Sequence, residues 1–360
     1  MTDKSVVVII PAYDPPDILD SYVRSLNDSA DCRMIVIDDG SHMEHAGLFR
    51  KLEEYSNCTV LHHESNKGKG AALKTAFQYV LNKMPECETV VTADSDGQHL
   101  LQDIKHMAEE AKKHPDSLIL GERNFSQPGV PHRSAFGNRC SSILLAILYG
   151  KWIPDTQTGL RGFNRNLIQH FLQIDGYRFE YETAVLIACI RENIPIRMIS
   201  INTVYSLDDH KSHFNTFSDG MKVVKVLFAE FFKYTISSIL CAILDLGLAW
   251  LILYLLRGMA AHEELLRIFI ATCGARAVST TMNFLLNRNL VFHGKGYKCL
   301  ARYLILCVCI MCLSSLGVYF LRVVFNIDEI SGKLLCDTFL FLISYYSQEH
   351  WVFSDRKASI

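Results

Sequence analysis

Four segments bring together residue types that do chemistry, each beyond an apolar run of strand length. Pro11-Ala12-Tyr13-Asp14 follows Val6–Ile10, and Asp38-Asp39-Gly40-Ser41 follows Met34–Ile37. Asn66-Lys67-Gly68-Lys69-Gly70 comes after Thr59–His62 and opens the helix-length stretch Gly70–Asn82, and Asp94-Ser95-Asp96-Gly97-Gln98-His99 follows Thr89–Ala93. Acidic residues at a strand's carboxyl end are costly unless they meet a cation or a hydroxyl-rich ligand. Asp94 and Asp96 offer carboxylate oxygens to one hard divalent ion, Mg2+ or Mn2+, and Gln98 adds a neutral oxygen. The Gly/Lys loop can turn sharply and aim backbone N–H groups at a pyrophosphate, with Lys67 or Lys69 adding charge. It lacks the GxxxxGK[ST] spacing, which argues against a Walker-type ATPase.

The elements that position these loops alternate. Apolar strands, with Leu118–Gly121 a fifth, are separated by helix-length segments such as Ile18–Leu26 and Leu101–His114. Strand and helix repeated in this way predict an α/β domain with a mostly parallel sheet, whose ligands gather beyond the carboxyl ends of its strands.

After Lys233 the composition changes. Tyr234–Leu256 holds one charge, Asp245, in 23 residues; Ile268–Leu286 holds one, Arg276, in 19; Tyr303–Leu321 holds none in 19. Leu334–Tyr346, which contains Asp337, is shorter but continues in mostly uncharged residues. Runs of about 20 apolar residues match a bilayer core, so four transmembrane helices are expected. Lys222, Lys225 and Lys233 precede the first, Arg288, Lys295, Lys298 and Arg302 separate the second from the third, and Arg356 and Lys357 follow the fourth. That bias places both termini and the α/β domain in the cytoplasm, with the chain multi-pass in the cell membrane. Ser141–Tyr149 and Met221–Phe232 combine apolar stripes with nearby basic residues and suit helices lying in the headgroup layer. Asp245, Arg276 and Asp337 lie inside spans, where an unpaired charge is expensive. Arg276 is therefore expected to contact Asp245, Asp337 or the strip Ser279–Asn283.

The composition agrees. The chain has 360 residues, 49% of them apolar, with 36 Lys+Arg against 38 Asp+Glu. This balance argues against nucleic-acid binding as the main function, and a mean hydropathy of +0.14 is high for a soluble protein. Twelve scattered cysteines with no secretory segment ahead of them read as reduced thiols. Cys309 and Cys312 form a CxxC inside an apolar run, a weak metal signal.

The segments IIPAYDPP, DDGS, NKGKGAALKTAF, DSDGQH and DTQTGLRGF occur in this order and resemble glycosyltransferase family 2, in particular its polyprenyl-phosphate (dolichyl- or undecaprenyl-phosphate) hexose synthases. The second half, with Ala275-Arg276, Asn283–Phe292 (NFLLNRNLVF) and Ser344–Phe353 (SYYSQEHWVF), resembles the GtrA-like membrane domain. The resemblance implies a GT-A domain over residues 1–228 and four transmembrane helices over 229–360. It implies metal-dependent, inverting transfer of one hexose from a UDP- or GDP-sugar to a polyprenyl monophosphate, for cell-envelope glycan modification, with UDP-glucose mildly preferred. Pro11, Tyr13, Asp14, Asp39, Lys69 and Asp94 then match nucleotide-sugar contacts, and Asp94, Asp96 and Gln98 the metal and diphosphate site. Asp14 departs from the commoner Asn-Glu pattern. Arg123, Arg133 and Arg139 match basic residues near the acceptor phosphate, and Asp155 an acid close to the transferred sugar. Asp96, Asp155 and Arg123 are the implied catalytic set. Ser212, between Lys211 and His213, falls where the family has a loop that closes over the substrates. A homo-oligomer is a further expectation.

Three rival readings fit the sequence less well. A binding or flippase module with the α/β half as a sensor would not need four intact site loops. A processive polysaccharide synthase would normally carry QxxRW before its spans, and this sequence has none. A nucleotidyltransferase would explain the acidic loop but not the membrane half.

Overall fold

A computed structural model describes residues 5–28, 32–125, 132–202, 218–258, 264–294 and 298–354. The chain forms two units, the first running to Leu227 and the second starting at Phe228.

In the first unit the elements run β1 (Val6–Ala12), α1 (Ile18–Asp28), β2 (Arg33–Asp38), α2 (Ala46–Glu53), β3 (Cys58–His62), α3 (Lys69–Lys83), β4 (Thr89–Thr92) and α4 (Leu101–Lys113). They continue with β5 (Leu118–Arg123), α5 (His132–Tyr149), β6 (Arg161–Asn164), α6 (Ile168–Gln173), α7 (Glu180–Arg191) and β7 (Ile196–Ile201). The seven strands form one sheet in the order β3-β2-β1-β4-β6-β5-β7. Only β6 is antiparallel to its neighbours, β4 and β5. All five expected strands are present. β1 is buried along its whole length, which its unbroken VVVII requires of a central strand covered on both faces. Val8, Ile10 and Val36 pack with Leu19, Val23, Ile104 and Met107 into the core on one face. Strand order reverses at β1: the chain steps outward through β2 and β3, then returns to place β4 on the other side. Such a switch point opens a crevice at the strands' carboxyl ends.

β6 and β7 were not among the expected strands. Arg161-Gly162-Phe163-Asn164 has no apolar run, and β7 is broken by Arg197 and Ser200 and mostly half-buried or exposed. α5 contains the Ser141–Tyr149 segment. Leu145, Leu148 and Tyr149 are buried, while Phe136, Ile143 and Ile147 form an exposed apolar stripe.

The helices α8 (Ser218–Leu255), α9 (Glu264–Leu286), α10 (Lys298–Phe325) and α11 (Glu329–Ser347) complete the chain. Met221–Phe232 and the first apolar run, read as separate segments from sequence, are one helix. Among the described residues, Asp219–Leu255 and Lys298–Phe325 are long and apolar enough to cross a bilayer, and the outward side chains of all four helices are largely apolar.

The second unit repeats itself. α9 and α11 each end in a five-residue π turn, Asn287–Val291 and Gln348–Val352, followed by Phe292 and Phe353. The spacing from Tyr234 to Asp245 equals that from Tyr303 to Ser314, and the spacing from Arg276 to Asn287 equals that from Asp337 to Gln348. Equivalent positions meet. Asn287 Nδ2 donates to Gln348 Oε1 at 2.9 Å, and the Phe292 and Phe353 rings stack 5.3 Å apart. Tyr234 packs on Tyr345 at the same 5.3 Å as Tyr303 on Phe284. Arg276 lies 3.2 Å from Asp245, which also accepts from Ser279 at 2.7 Å, as the pairing expectation requires. In the second helix pair Ser314 donates to Asp337 at 2.6 Å, and Lys333 lies 3.0 Å from it.

Candidate active site

The expected loops meet beyond the carboxyl ends of β1, β2 and β4. Pro11 is buried within β1. The Tyr13 ring lies 6.2 Å from that of His42. Asp14 takes a left-handed φ of 43°, a conformation Asp tolerates better than most residues. Its N–H donates to Ser41 Oγ at 3.0 Å, and its carboxylate accepts from the His42 N–H at 2.8 Å. Burial works against the Asp14 charge, but the His42 contacts outweigh it and hold the carboxyl below its ordinary range.

Asp39 is buried and ties two loops together. It accepts from the N–H groups of Lys67 at 3.0 Å and Gly68 at 2.7 Å, and sits 2.6 Å from His63 Nδ1. The Ala71 N–H donates to the Tyr177 carbonyl at 2.8 Å. This corrects the expectation for the Gly/Lys loop: the N–H groups of Lys67, Gly68 and Ala71 serve protein acceptors rather than facing a pyrophosphate. Gly68 sits at a φ of 101°, and a Cβ there would come within 2.6 Å of the Tyr177 carbonyl. The loop therefore closes against the start of α7 only with glycine.

Lys69 is the charged residue of this loop that turns inward. Its Nζ lies 2.8 Å from Asp94 and 2.8 Å from Glu182. Burial opposes the ammonium charge, yet the two carboxylates raise its pKa. Burial likewise opposes the Asp94 charge, but Lys69 and then His99, whose Nε2 lies 3.5 Å away, hold that carboxyl well below the ordinary range. Asp96 moves the other way: burial, then the neighbouring Asp94 charge, raise its pKa. Asp96 accepts from the Gln98 N–H at 3.1 Å. Two adjacent carboxylates, one disfavoured by the other, are the donor set a hard cation satisfies. No cluster of three or more His, Cys, Asp or Glu side chains arranged for a metal occurs among the described residues, so a cation on Asp94 and Asp96 would draw further oxygens from elsewhere. Gly159 backs this site, since a Cβ there would run into the Asp94 carboxylate.

Asp155 and Arg123 find each other. Arg123 donates through Nε at 2.7 Å and Nη2 at 3.0 Å to the two oxygens of Asp155, which is almost wholly buried. Such a fork-on-carboxylate pair fixes both planes. The loop bearing Asp155 is held by buried Asn138, which accepts from the Thr156 N–H at 2.9 Å and donates to the Pro154 carbonyl at 2.6 Å. Arg139, the next residue on α5, is exposed. The Arg133 side chain, and Ser212 with its neighbours Lys211 and His213, lie outside the described residues. Glu182, His99, Arg161 and Asn138 are site residues that the sequence reading missed.

Residues 7–172 match glycosyl transferase family 2, and residues 264–353 match the GtrA/DPMS transmembrane domain. The fold is that of a GT-A glycosyltransferase. The chain is a glycosyltransferase whose first part matches family 2 and whose last part matches the GtrA/DPMS transmembrane domain. It is 27% identical over 226 residues to a UDP-N-acetylglucosamine–dolichyl-phosphate N-acetylglucosaminyltransferase from Methanococcus voltae, covering 57% of this chain and 88% of the relative. It is 25% identical over 231 residues to a dolichyl-phosphate beta-glucosyltransferase from Saccharomyces cerevisiae, covering 54% and 65%. Among solved structures, glucosyl-3-phosphoglycerate synthase from Mycobacterium tuberculosis is similar at 16% identity and a TM-score of 0.49, over 62% of this chain and 79% of that one.

Proposed function

We propose that the protein transfers one hexose from a nucleotide sugar to a membrane polyprenyl monophosphate, with inversion and with the help of a divalent cation. The observation that carries this reading is one site in which two paired carboxylates, Asp94 and Asp96, adjoin Lys69, in a chain that also carries a GtrA/DPMS transmembrane domain. The names of the two relatives supply the acceptor class, a dolichyl phosphate, and one of them names a UDP-sugar donor.

In the reaction the bond from the anomeric carbon to the diphosphate breaks, and a bond to an acceptor phosphate oxygen forms on the opposite face. The nucleoside diphosphate leaves with the electron pair. A phosphate monoester is already anionic at neutral pH, so attack needs positioning more than a strong base. A cation held by Asp94 and Asp96, with Gln98 nearby, would neutralise charge on the leaving diphosphate. Arg123, oriented by Asp155, with Arg133, Arg139 and Ser212, takes the acceptor phosphate. Pro11, Tyr13, Asp14 and Asp39 line the nucleotide end. The exposed stripe Phe136, Ile143 and Ile147 beside Arg139 suits a headgroup layer, where the acceptor phosphate resides. α8 to α11 span the bilayer with both termini cytoplasmic, as the basic residues favour.

The test is purified full-length protein with radiolabelled UDP- and GDP-hexoses, with and without polyprenyl phosphate and EDTA. The expected product is an acid-labile glycolipid that forms only with the lipid phosphate and is lost with EDTA. Sugar release to water at the same rate without the lipid would overturn the acceptor assignment.

A further inference from the structure

Glu182 is an acid on a helix face that is otherwise core: Tyr181, Val185, Leu186 and Cys189 around it are buried. It stands in the first turn of α7, facing Lys69 on the first turn of α3, and several contacts fix these two helix starts against each other. The Ala71 N–H donates to the Tyr177 carbonyl at 2.8 Å. Gly70 leaves no room for a Cβ beside Tyr181. The N–H groups of Tyr177 and Arg178 donate to Glu180, each at 3.2 Å. Behind Glu182, buried Arg161 donates Nη1 to the Glu182 carbonyl at 2.8 Å and sets Nε 3.8 Å from its carboxylate. Glu182 is thus held by backbone and by Arg161, whereas Lys69 reaches it on a long flexible stem. The ammonium divides itself between Glu182 and Asp94 at equal distances of 2.8 Å.

This arrangement sets up a competition. An ammonium on Asp94 occupies a carboxylate that a divalent cation needs. When the cation arrives, repulsion drives the ammonium away, and a lysine with no other anchor either keeps hold of Asp94 against the cation or leaves the site. Resting on the donor-site reading proposed above, we infer that Glu182 is a positioning residue that retains Lys69 when a divalent cation takes Asp94, leaving the ammonium beside the cation where a diphosphate will meet it. Glu182 touches neither substrate in this scheme and acts through Lys69.

The test measures Mn2+ binding to the full-length protein by electron paramagnetic resonance, without donor, alongside thermal unfolding of every variant. Glu182→Gln leaves Lys69 only Asp94, so Mn2+ affinity falls by about tenfold, the size of effect typical of groups that orient metal ligands. Lys69→Met removes the competitor, so Mn2+ binds more tightly than to the wild type. In the Lys69→Met background, adding Glu182→Gln changes Mn2+ affinity little, because its effect runs through the lysine. A full tenfold loss in that background would show that Glu182 acts only by its own charge and would overturn the inference. So would unchanged Mn2+ affinity in Glu182→Gln. If Glu182→Gln does not fold, Lys69→Met still decides: weaker or equal Mn2+ binding sinks the competition. A wild type that binds no Mn2+, even with UDP present, overturns the metal reading itself, a different failure from variants that bind like the wild type.

Discussion

At the carboxyl ends of β1, β2 and β4, Lys69 is shared between Asp94 and Glu182, Asp96 lies beside Asp94, and Arg161 stands behind Glu182. In the helical unit Asp245 has Arg276 and Ser279, and Asp337 has Lys333 and Ser314, one cation and one hydroxyl to each acid. The two regions treat their charges oppositely. Matched pairs are what an apolar surrounding demands, because an unpaired charge there is expensive. Three carboxylates beside one ammonium and one guanidinium are not a structural need, since the fold would be easier to form without the extra charge. On the function proposed above, the surplus marks where a ligand brings positive charge, and the matched pairs mark architecture.

The largest expected effect breaks the first half of this contrast. Asp96→Asn keeps the side chain's shape and an acceptor for the Gln98 N–H, and removes a carboxylate already disfavoured by burial and by Asp94. Transfer should fall by about a thousandfold, the upper range for losing one electrostatic contributor to a transition state. Thermal stability should stay level or rise. A parallel loss of stability would make Asp96 a structural acid and remove the distinction.

The second effect tests the architecture. Asn287 is wholly buried, accepts from Ser237 Oγ at 2.7 Å and donates to Gln348 at 2.9 Å. Asn287→Leu strands both partners and should cost about 1–3 kcal/mol of stability in detergent. Gln348→Leu should cost a similar amount, as its repeat equivalent. Transfer per folded molecule should be unchanged in both. A large difference between the two would mean that the repeat is one of shape and not of energetics.

The two regions also differed in legibility. The acidic loops could be read because apolar runs such as MIVI and TVVTA end abruptly in charge, which a crevice at strand ends accommodates. What those loops bind among themselves could not be read. Asp39, expected at the nucleotide, is engaged with the Gly/Lys loop, and Asp155 and Arg123, expected on different substrates, hold each other. Such pairings join residues far apart in sequence and leave no periodicity. Glu182 did leave a signal, an acid set among the buried apolar positions of a helix, which requires a partner. β6 escaped because Arg161–Asn164 is short and closed by polar residues at both ends. In the helical unit the apolar runs showed the helices, and the charges isolated within them showed the need for pairing. The repeat went unread, because its positions are matched in spacing but only partly in residue type: Asn287 against Gln348, Arg276 against Asp337.

The smallest expected effect uses that repeat as its own control. Each helix pair holds one ion pair, Arg276–Asp245 and Lys333–Asp337, with the acid on opposite members of the repeat, and the two acids are not equally enclosed. The Asp245 side chain is 17% exposed and that of Asp337 is 47%. Lys333 is also near the start of α11, within reach of an interface by extending its stem, whereas Arg276 lies midway along α9. Removing the cation leaves the acid with its serine alone, and the cost should follow how far the acid is enclosed. Arg276→Leu should therefore lower stability in detergent by more than Lys333→Leu, which should fall below about 1 kcal/mol, as for exposed ion pairs. Adding Asp245→Leu to Arg276→Leu should recover part of the loss, because it removes the stranded charge. Equal costs for the two lysine and arginine variants, or no recovery in the double variant, would mean that enclosure of the acid does not set the strength of these pairs.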